Sequence, residues 1–357
     1  MREAVACLFD NNLLLDCVVP CYVVSVEVGL DPGIDHMLVK KAVDAIHAKG
    51  GKVTELISLC GGLPDPASAD NPLRYKFSWS PKGVLIAAQN GAVHLVDGEV
   101  LSVPPGTLLQ AAEASKRFPT MRLEALPNRD SVKYKEIYGV PDVHTLCRGT
   151  LRYEGWSNVM NGLQRLELFD QTPVSDDIQS WSDLLASKIE PKSRDPVHMK
   201  SALKRFFKQI NVHDVDSAVS AIEWLGMLDD SSPMGRKSPL DELCALLQEK
   251  LWFKDGEKDM VAMYHTVLGE LPDGTKERHV SRLLAFGNPS GDSAMAATVG
   301  LTTAVAAELL LRGKVKDTGV LIPTQSEVYT PMLQRLGELG ITYTESVEQF
   351  AEGELDE

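Results

Sequence analysis

The sequence predicts an α/β fold of mixed α+β character, and three observations point to it. Short β-branched runs alternate with helical periodicities between residues 20 and 130. A helix-rich stretch then fills about 177–251. Strand signals return behind it, on either side of the turn sequence PDGT at 272–275. The helix-rich stretch reads as a module inserted into, or subsidiary to, a domain with a mixed sheet.

At the front of the chain CYVVSVEV, Cys21 to Val28, is rich in β-branched and aromatic residues and reads as a strand. Gly29, Pro32 and Gly33 break the chain directly behind it, and Met37, Leu38, Val43 and Ile46 recur at helical spacing from Ile34 onward. GLDPGIDH is therefore a strand-to-helix junction, with Asp31 on the turn and Asp35 and His36 in the first helical turn, where a carboxylate is favoured by the helix dipole. Asp31 is either a ligand-facing group or a plain helix cap. Further strands are expected at 52–60, 83–90 and 122–126, with a turn-bounded strand pair over 92–103.

The polar stretch from Gly61 to Ser80 carries two glycines, three prolines and then Tyr75, Phe77 and Trp79. It reads as a lid or binding loop, or its aromatics plug a neighbouring core. Helices are expected over 157–168, within 177–209, over 215–228 and over 239–251. Two strands, 259–271 and 275–287, form a hairpin. The small apolar run 293–311 predicts a buried helix, GVLIP at 319–323 a strand and 328–337 a last helix, with ITYTE beyond it.

The chain has 357 residues, 36 Lys plus Arg against 50 Asp plus Glu and a formal charge of -14. That balance disfavours nucleic acid or an anionic membrane as partner and leaves room for a local basic pocket. Cysteines at 7, 17, 21, 60, 147 and 244 show neither zinc-ribbon spacing nor the density of a disulfide scaffold, so free thiols are expected. No uninterrupted run of 18 apolar residues suggests a membrane span, and the opening 20 residues fit neither a signal nor a transit peptide.

Neither G-x-G-x-x-G behind a strand, nor a P-loop, H-E-x-x-H or G-x-S-x-G occurs. His36, His94, His144 and His198 are scattered, so no metal site is expected. The densest polar constellation is PNRDSVKYKEIYG, 127–139, followed by HTLCRGTLRYEGW, 144–156. Arg129, Arg148 and Arg152 offer planar donor forks suited to carboxylates, and strand alternation puts Arg148, Thr150 and Arg152 on one face. The competing reading pairs these arginines with Asp130, Glu136 and Glu154. FGNPSGDSAMA, 286–296, opens a helix and presents N–H groups to an anion, or is simply capped by Asp292 or Ser293.

GLDPGIDHML, CGGLPDPASADNPLRYKFSWSPKGVL, PNRDSVKYKEIYG, TLCRGTLRYEGW and GDSAMAATVG together resemble the saccharopine dehydrogenase family, in particular the saccharopine-cleaving half of the bifunctional aminoadipic semialdehyde synthases. The likeness runs from about Glu27 to Ile341. It implies an oxidoreductase of lysine degradation of the NAD-linked, L-glutamate-forming type, with NADP as the alternative cofactor. By that resemblance Asp31 stands beside substrate and nicotinamide and assists proton transfer, Cys60 and Phe77 line the pocket, and Arg129, Thr150, Leu151 and Arg152 hold substrate carboxylates.

The domain plan it implies is a remnant of a nucleotide-binding Rossmann domain over 1–28, a substrate-binding and dimerisation domain over 29–318, and a segment 319–357 that returns to the nucleotide domain. Such a chain would lack most of that Rossmann domain, and its segment 319–341 would expose apolar surface. The alternative function is an inactive substrate-binding or dimerisation fragment. The partners implied are a small substrate with several carboxylates and a second copy of the chain; the compartment is the mitochondrion or the cytoplasm.

Overall fold

A computed structural model describes residues 23–229, 235 and 238–350. Most of the expected remnant 1–28, and the cysteines at 7, 17 and 21, lie outside the described residues. A short strand β1 (Val23–Ser25) leads through the GLDPG turn into α1 (Ile34–Ala48) and the long β2 (Lys52–Pro64). Then come α2 (Pro81–Gln89), the strand pair β3 (Ala92–Val96) and β4 (Glu99–Val103), β5 (Glu113–Ser115), β6 (Leu123–Pro127), β7 (Arg129–Asp130), the single turn α3 (Tyr134–Ile137) and β8 (Thr145–Tyr153). Five helices come next: α4 (Trp156–Arg165), α5 (Trp181–Ile189), α6 (Pro196–Gln209), α7 (Val215–Trp224) and α8 (Pro239–Leu251). The hairpin β9 (Asp259–Glu270) and β10 (Lys276–Phe286), α9 (Ala294–Leu311), β11 (Gly319–Leu321), α10 (Ser326–Glu338) and β12 (Thr344–Phe350) complete the order.

The main sheet is mixed and ten-stranded, in the order β12-β10-β9-β2-β8-β3-β4, with β6 also on β8, β5 on β6 and β7 on β3. β2 is its pivot, parallel to β8 and antiparallel to β9. A separate two-stranded sheet pairs β1 with β11 in parallel. This is the α/β architecture with a mixed sheet and helical module that the sequence predicts. The module's helices α5, α6, α7 and α8 each start on a side-chain cap, from Ser180, Asp195, Asp214 and Ser238 respectively, which is why their boundaries are sharp in the sequence.

The largest core joins this module to the sheet through Leu59, Leu63, Leu151, Tyr153 and Met160. A second core lies between the start of α1, α9, α10 and the sheet, around Met37, Met263 and Met332. A third packs the rest of α1 and the α3 region on the sheet, around Val43, Leu56, Tyr138 and Val267.

Several expectations change. Residues 83–90 are helical, not a strand: the Ser80 hydroxyl accepts from the Gly83 N–H, Pro81 opens the first turn, and Val84, Leu85 and Ala88 form one buried side. Among the described residues the first strand covers only Val23–Ser25, because Glu27 turns to a φ of 55°. The polar stretch after Gly61 is shorter than expected, since residues 61–64 continue β2, and its aromatics Tyr75 and Phe77 plug the main core. The predicted buried helix α9 is buried along one side only, through Ala294, Thr298, Thr302, Val305 and Ala306.

By length and composition α9 is also the one helix among the described residues able to cross a membrane. Here it packs on β9, β10 and α10. The segment behind it does not stand apart. α10 buries Val328, Tyr329, Met332 and Leu336, and β12 extends the main sheet beside β10, so the exposed apolar surface expected over 319–341 is confined to its flanks, where Val320 and Leu339 are exposed.

Candidate functional site

The site grows from the turn between β1 and α1. Gly29 N–H donates to Pro32 O at 3.1 Å, and the Ile34 N–H reaches back to Gly29 O at 3.1 Å, folding the turn on itself. Gly33 sits at φ 152°, and a Cβ there would lie 2.1 Å from Gly29 O, so the position admits only glycine. The Asp31–Pro32 peptide is cis. Asp31 does not cap α1, whose N-cap residue Gly33 has no side-chain cap; instead Asp35 Oδ1 accepts the Gly33 N–H at 2.6 Å.

Arg148 rises from β8 into this turn. Its Nη2 donates to Asp31 Oδ1 at 2.7 Å and also to Asp35 Oδ2. The guanidinium lies over the Tyr134 ring, 4.1 Å from its centroid, a cation–π contact in a buried setting. The backbone is pinned as well, since the Arg148 N–H donates to Ser131 Oγ at 2.9 Å. The competing sequence reading, in which the arginines pair with Asp130, Glu136 and Glu154, does not describe Arg148; Glu154 is held by Arg122 instead.

The electrostatics separate the two aspartates. Burial, and then the neighbouring Asp35 charge, push Asp31 up to about 7. Burial opposes ionisation of Asp35 too, but His36, Arg148 and the Gly33 N–H outweigh it and hold that carboxyl low. One carboxylate stays ionised while its neighbour is poised to exchange a proton near neutrality, the pattern of an acid–base pair. Burial first, and then Asp31 and Asp35, drive the Cys60 thiol well up, so Cys60 remains protonated and is no nucleophile.

Behind Asp35, His36 is fully buried and bridges two partners: Nδ1 to Tyr138 Oη at 2.8 Å and Nε2 to Glu27 Oε2 at 2.7 Å. The bond from His36 draws the Glu27 carboxyl below its ordinary value. On the other side, His265 Nδ1 meets Ser58 Oγ at 2.9 Å, and burial pushes this imidazole down to about 4.

Thr150 and Arg152 line a small open cleft of ≈ 40 Å³ together with Val84, Leu109, Asn128 and Trp156. Arg152 is 8% exposed and rests against the Tyr75 and Trp156 rings, with Nη1 donating to Leu151 O at 2.8 Å. Its Nε and the Trp156 Nε1 are buried without a partner, and among the described residues no carboxylate pairs with Arg152. A buried cation facing an apolar cleft without its own anion is a ready site for a ligand carboxylate. Cys60 stands beside Thr150 in the β2–β8 register.

The remaining expected site residues are placed differently. Arg129 is exposed on β7 at a φ of 51°. The Leu151 side chain is enclosed in the main core, as is Phe77, whose ring meets Tyr75 edge-on. Sequence reasoning misses Asp35, His36, Glu27, Tyr134, Tyr138 and His265 as parts of one centre. Asp35 and His36 are visible in it as the polar start of an otherwise apolar helix. The Tyr and His265 partners lie roughly 100 residues or more away and leave no local signal.

The anion reading of 286–296 is answered by the protein itself. Ser293 caps α9, and the buried Asp259 carboxylate accepts from Ala294 N–H at 2.7 Å and Met295 N–H at 2.9 Å. Cys60, Cys147 and Cys244 are free thiols, as expected.

Comparison with known proteins points to the saccharopine dehydrogenases. The family model for the saccharopine dehydrogenase C-terminal domain matches residues 29–341. The mitochondrial alpha-aminoadipic semialdehyde synthase of Bos taurus is 40% identical over 326 residues, covering 89% of this chain and 35% of its own, so the chain spans about a third of that relative's length. The saccharopine dehydrogenase [NADP(+), L-glutamate-forming] of Saccharomyces cerevisiae is 36% identical over 87% of this chain and 70% of its own; that of Pyricularia oryzae is 37% identical over 90% and 73%. Among solved structures, the apo histidine-tagged saccharopine dehydrogenase (L-Glu forming) from Saccharomyces cerevisiae superposes with a TM-score of 0.84 at 35% identity, over 92% of this chain and 74% of the other.

Proposed function

Because this chain belongs to the saccharopine dehydrogenase family, we propose that it binds saccharopine and serves its oxidative cleavage to L-glutamate and 2-aminoadipate 6-semialdehyde. The observation that carries this reading is the contrast between two arginines on one strand: Arg148 is saturated by Asp31 and Asp35, whereas the buried Arg152 faces an apolar cleft with no carboxylate of its own. Saccharopine brings several carboxylates, and one of them supplies the anion that Arg152 lacks.

In this reading Arg152 and Thr150 hold one substrate carboxylate inside the cleft and the exposed Arg129 meets another at its rim. Asp31 takes the proton that leaves the secondary amine and returns one during imine hydrolysis, with Arg148 fixing its position. Asp35 remains ionised, which keeps the Arg148 charge balanced whichever form Asp31 takes. Cys60 contributes a neutral wall.

A nicotinamide dinucleotide is the oxidant of the family, and the fungal relatives are named for NADP(+). The described residues do not fit its pyrophosphate. The helix N-termini beside the site are already taken by the chain's own carboxylates, Asp35 at α1, Glu124 at α4 and Asp259 at α9. The part of the reaction these residues carry is therefore substrate binding and proton handling, and the assignment of Asp31 beside the nicotinamide rests on the resemblance. The compartment is the mitochondrion, for which the Bos taurus synthase is named, or the cytoplasm.

Calorimetric titration tests the reading: saccharopine should give saturable heat that Arg152→Met weakens, and separate titrations with NADP+ and NAD+ decide the dinucleotide. Absence of saccharopine heat at millimolar concentration would overturn the substrate assignment.

A further inference from the structure

α1 covers the sheet unevenly. Its Val39, Val43 and Ile46 are fully enclosed in the third core, whereas the side of the helix toward the outer strands carries Ala42 and Ala45. Side chains this small leave an open well of ≈ 210 Å³ between α1 and the strands β9, β10 and β12. Register sets its floor: Ser281 on β10 is in register with His265 on β9 and with Glu345 on β12, and His279 on β10 with Val267 and Val347. Register partners share a face, so these side chains all look toward α1. The space holds roughly ten waters, or a ligand of about ten non-hydrogen atoms.

Two groups on the floor are unsatisfied. Ser281 is 6% exposed, and its hydroxyl has no hydrogen-bond partner among the described residues. His265 is 2% exposed; Nδ1 is engaged by Ser58, while Nε2 is buried with no partner. Burial keeps this imidazole neutral, so the floor offers hydrogen bonds and no charge. His279 does not change that, since its Nε2 is turned to the buried Glu277 carboxylate at 3.3 Å. Valine at 281 would pack against α1 and leave no polar atom to satisfy, so the fold does not require a hydroxyl there. The rim is different: Lys41 and Glu345 pair across it, both 41% exposed, and Lys41 Nζ also donates to Tyr343 Oη at 3.0 Å. So exposed a pair adds little to stability, and each partner is readily exchanged for the opposite charge of a ligand.

We propose that this well binds a free α-amino acid whose short side chain ends in an uncharged hydrogen-bonding group, an amide above all. The ligand's carboxylate meets Lys41 and its ammonium meets Glu345, replacing the ion pair at the rim. Its methylene groups lie along Ala42, Ala45 and Val267, and its end group satisfies the Ser281 hydroxyl and the His265 imidazole at the floor. A charged end group would lose its hydration there with no opposite charge to receive it, which sets the selectivity. The site is distinct from the Arg152 cleft, and it does not depend on the function proposed above.

The test titrates the intact chain, labelled with nitrogen-15, with L-glutamine, L-glutamate and L-lysine, and follows by NMR the Ser281 amide and the His265 imidazole. L-glutamine should shift both signals saturably, with a Kd in the millimolar range, and the two charged amino acids should bind at least about tenfold more weakly. Ser281→Val removes one hydrogen bond and should weaken L-glutamine by about tenfold, Ala45→Leu should fill the well and abolish the shifts, and Arg152→Met should leave them unchanged. If Ala45→Leu loses its amide dispersion and so fails to fold, Ser281→Val carries the test. No saturable shift with L-glutamine would overturn the site, as would shifts that Ser281→Val leaves unaltered. L-glutamate or L-lysine binding as tightly as L-glutamine would overturn the ligand class.

Discussion

Arg148 Nη2 stands 2.7 Å from Asp31 Oδ1 and donates to Asp35 through the same nitrogen, so one atom holds two carboxylates that leave the same turn. Removing the cation strands both in a site that water scarcely reaches. Arg148→Met should destabilise the chain by about 3–5 kcal/mol, the range for breaking a buried ion pair from one side. Denaturant unfolding at neutral pH reads this directly.

Asp31→Asn should cost about 10²- to 10⁴-fold in kcat/KM for saccharopine-dependent nicotinamide reduction, with little change in substrate affinity. With the ionised Asp31 carboxylate as the proton acceptor proposed above, kcat/KM should rise with pH through about 7 and then level. The stability contribution has the opposite slope. The folded carboxyl lies above its ordinary 3.8, so folding retains a proton between the two values, and stability falls as pH rises from about 4 to about 7. Asparagine should flatten both dependences, which a pH series of rates and unfolding midpoints checks.

Arg152→Met should weaken saccharopine by roughly ten- to a hundredfold, the value of a charge-assisted hydrogen bond pair to one carboxylate. Because no acidic partner is left behind, its cost in stability should be nearer about 1 kcal/mol, from the lost contacts with Tyr75 and Trp156. A rise in KM with kcat held is the expected signature.

Two other groups oppose the fold in acid, in successive stages. His265 is held down to about 4, so the unfolded chain gains a proton there first and its contribution is lost as pH falls from about 6.5 toward 4, a loss that Asp31 offsets over the same range. Glu277, fully buried and bonded by Lys49, Gln349 and His279, is held down to about 2, and its contribution is lost as pH falls from 4.5 toward 2. His265→Gln should remove the first contribution and uncover the opposite slope of Asp31, and Glu277→Gln should remove the second, in unfolding midpoints measured between pH 3 and 7.

Local chemistry explains what is legible in the sequence. The GLDPG turn, the PDGT hairpin and the capped helices of the inserted module are each dictated by residues adjacent in the chain, and they fall where expected. The stretch 83–90 reads as a strand through its β-branched and apolar content, although Ser80 followed by Pro81 carries the start signal of α2. Phe77 illustrates the opposite limit, since an aromatic after a polar loop looks the same whether it faces a ligand or a core. Arg129, Arg148 and Arg152 are visible as donors. Which one keeps its charge free is not, because the GLDPG turn and α1 carry Asp31 and Asp35 to Arg148 across more than a hundred residues. The same holds for His265, invisible as a partner of Ser58 until β9 lies beside β2.

The pivot position of β2 also sets a schedule for folding. Its neighbour β8 comes roughly 90 residues later and its neighbour β9 roughly 200 later, with the whole helical module in between. At ribosomal speeds of about 5–20 residues per second, β2 waits on the order of ten to forty seconds for its second neighbour, with one row of backbone amides and carbonyls unmatched. Contacts of such long sequence separation make for slow assembly. The interval before β9 emerges is thus when the nascent chain is most open to mispairing with another strand and has most need of a chaperone.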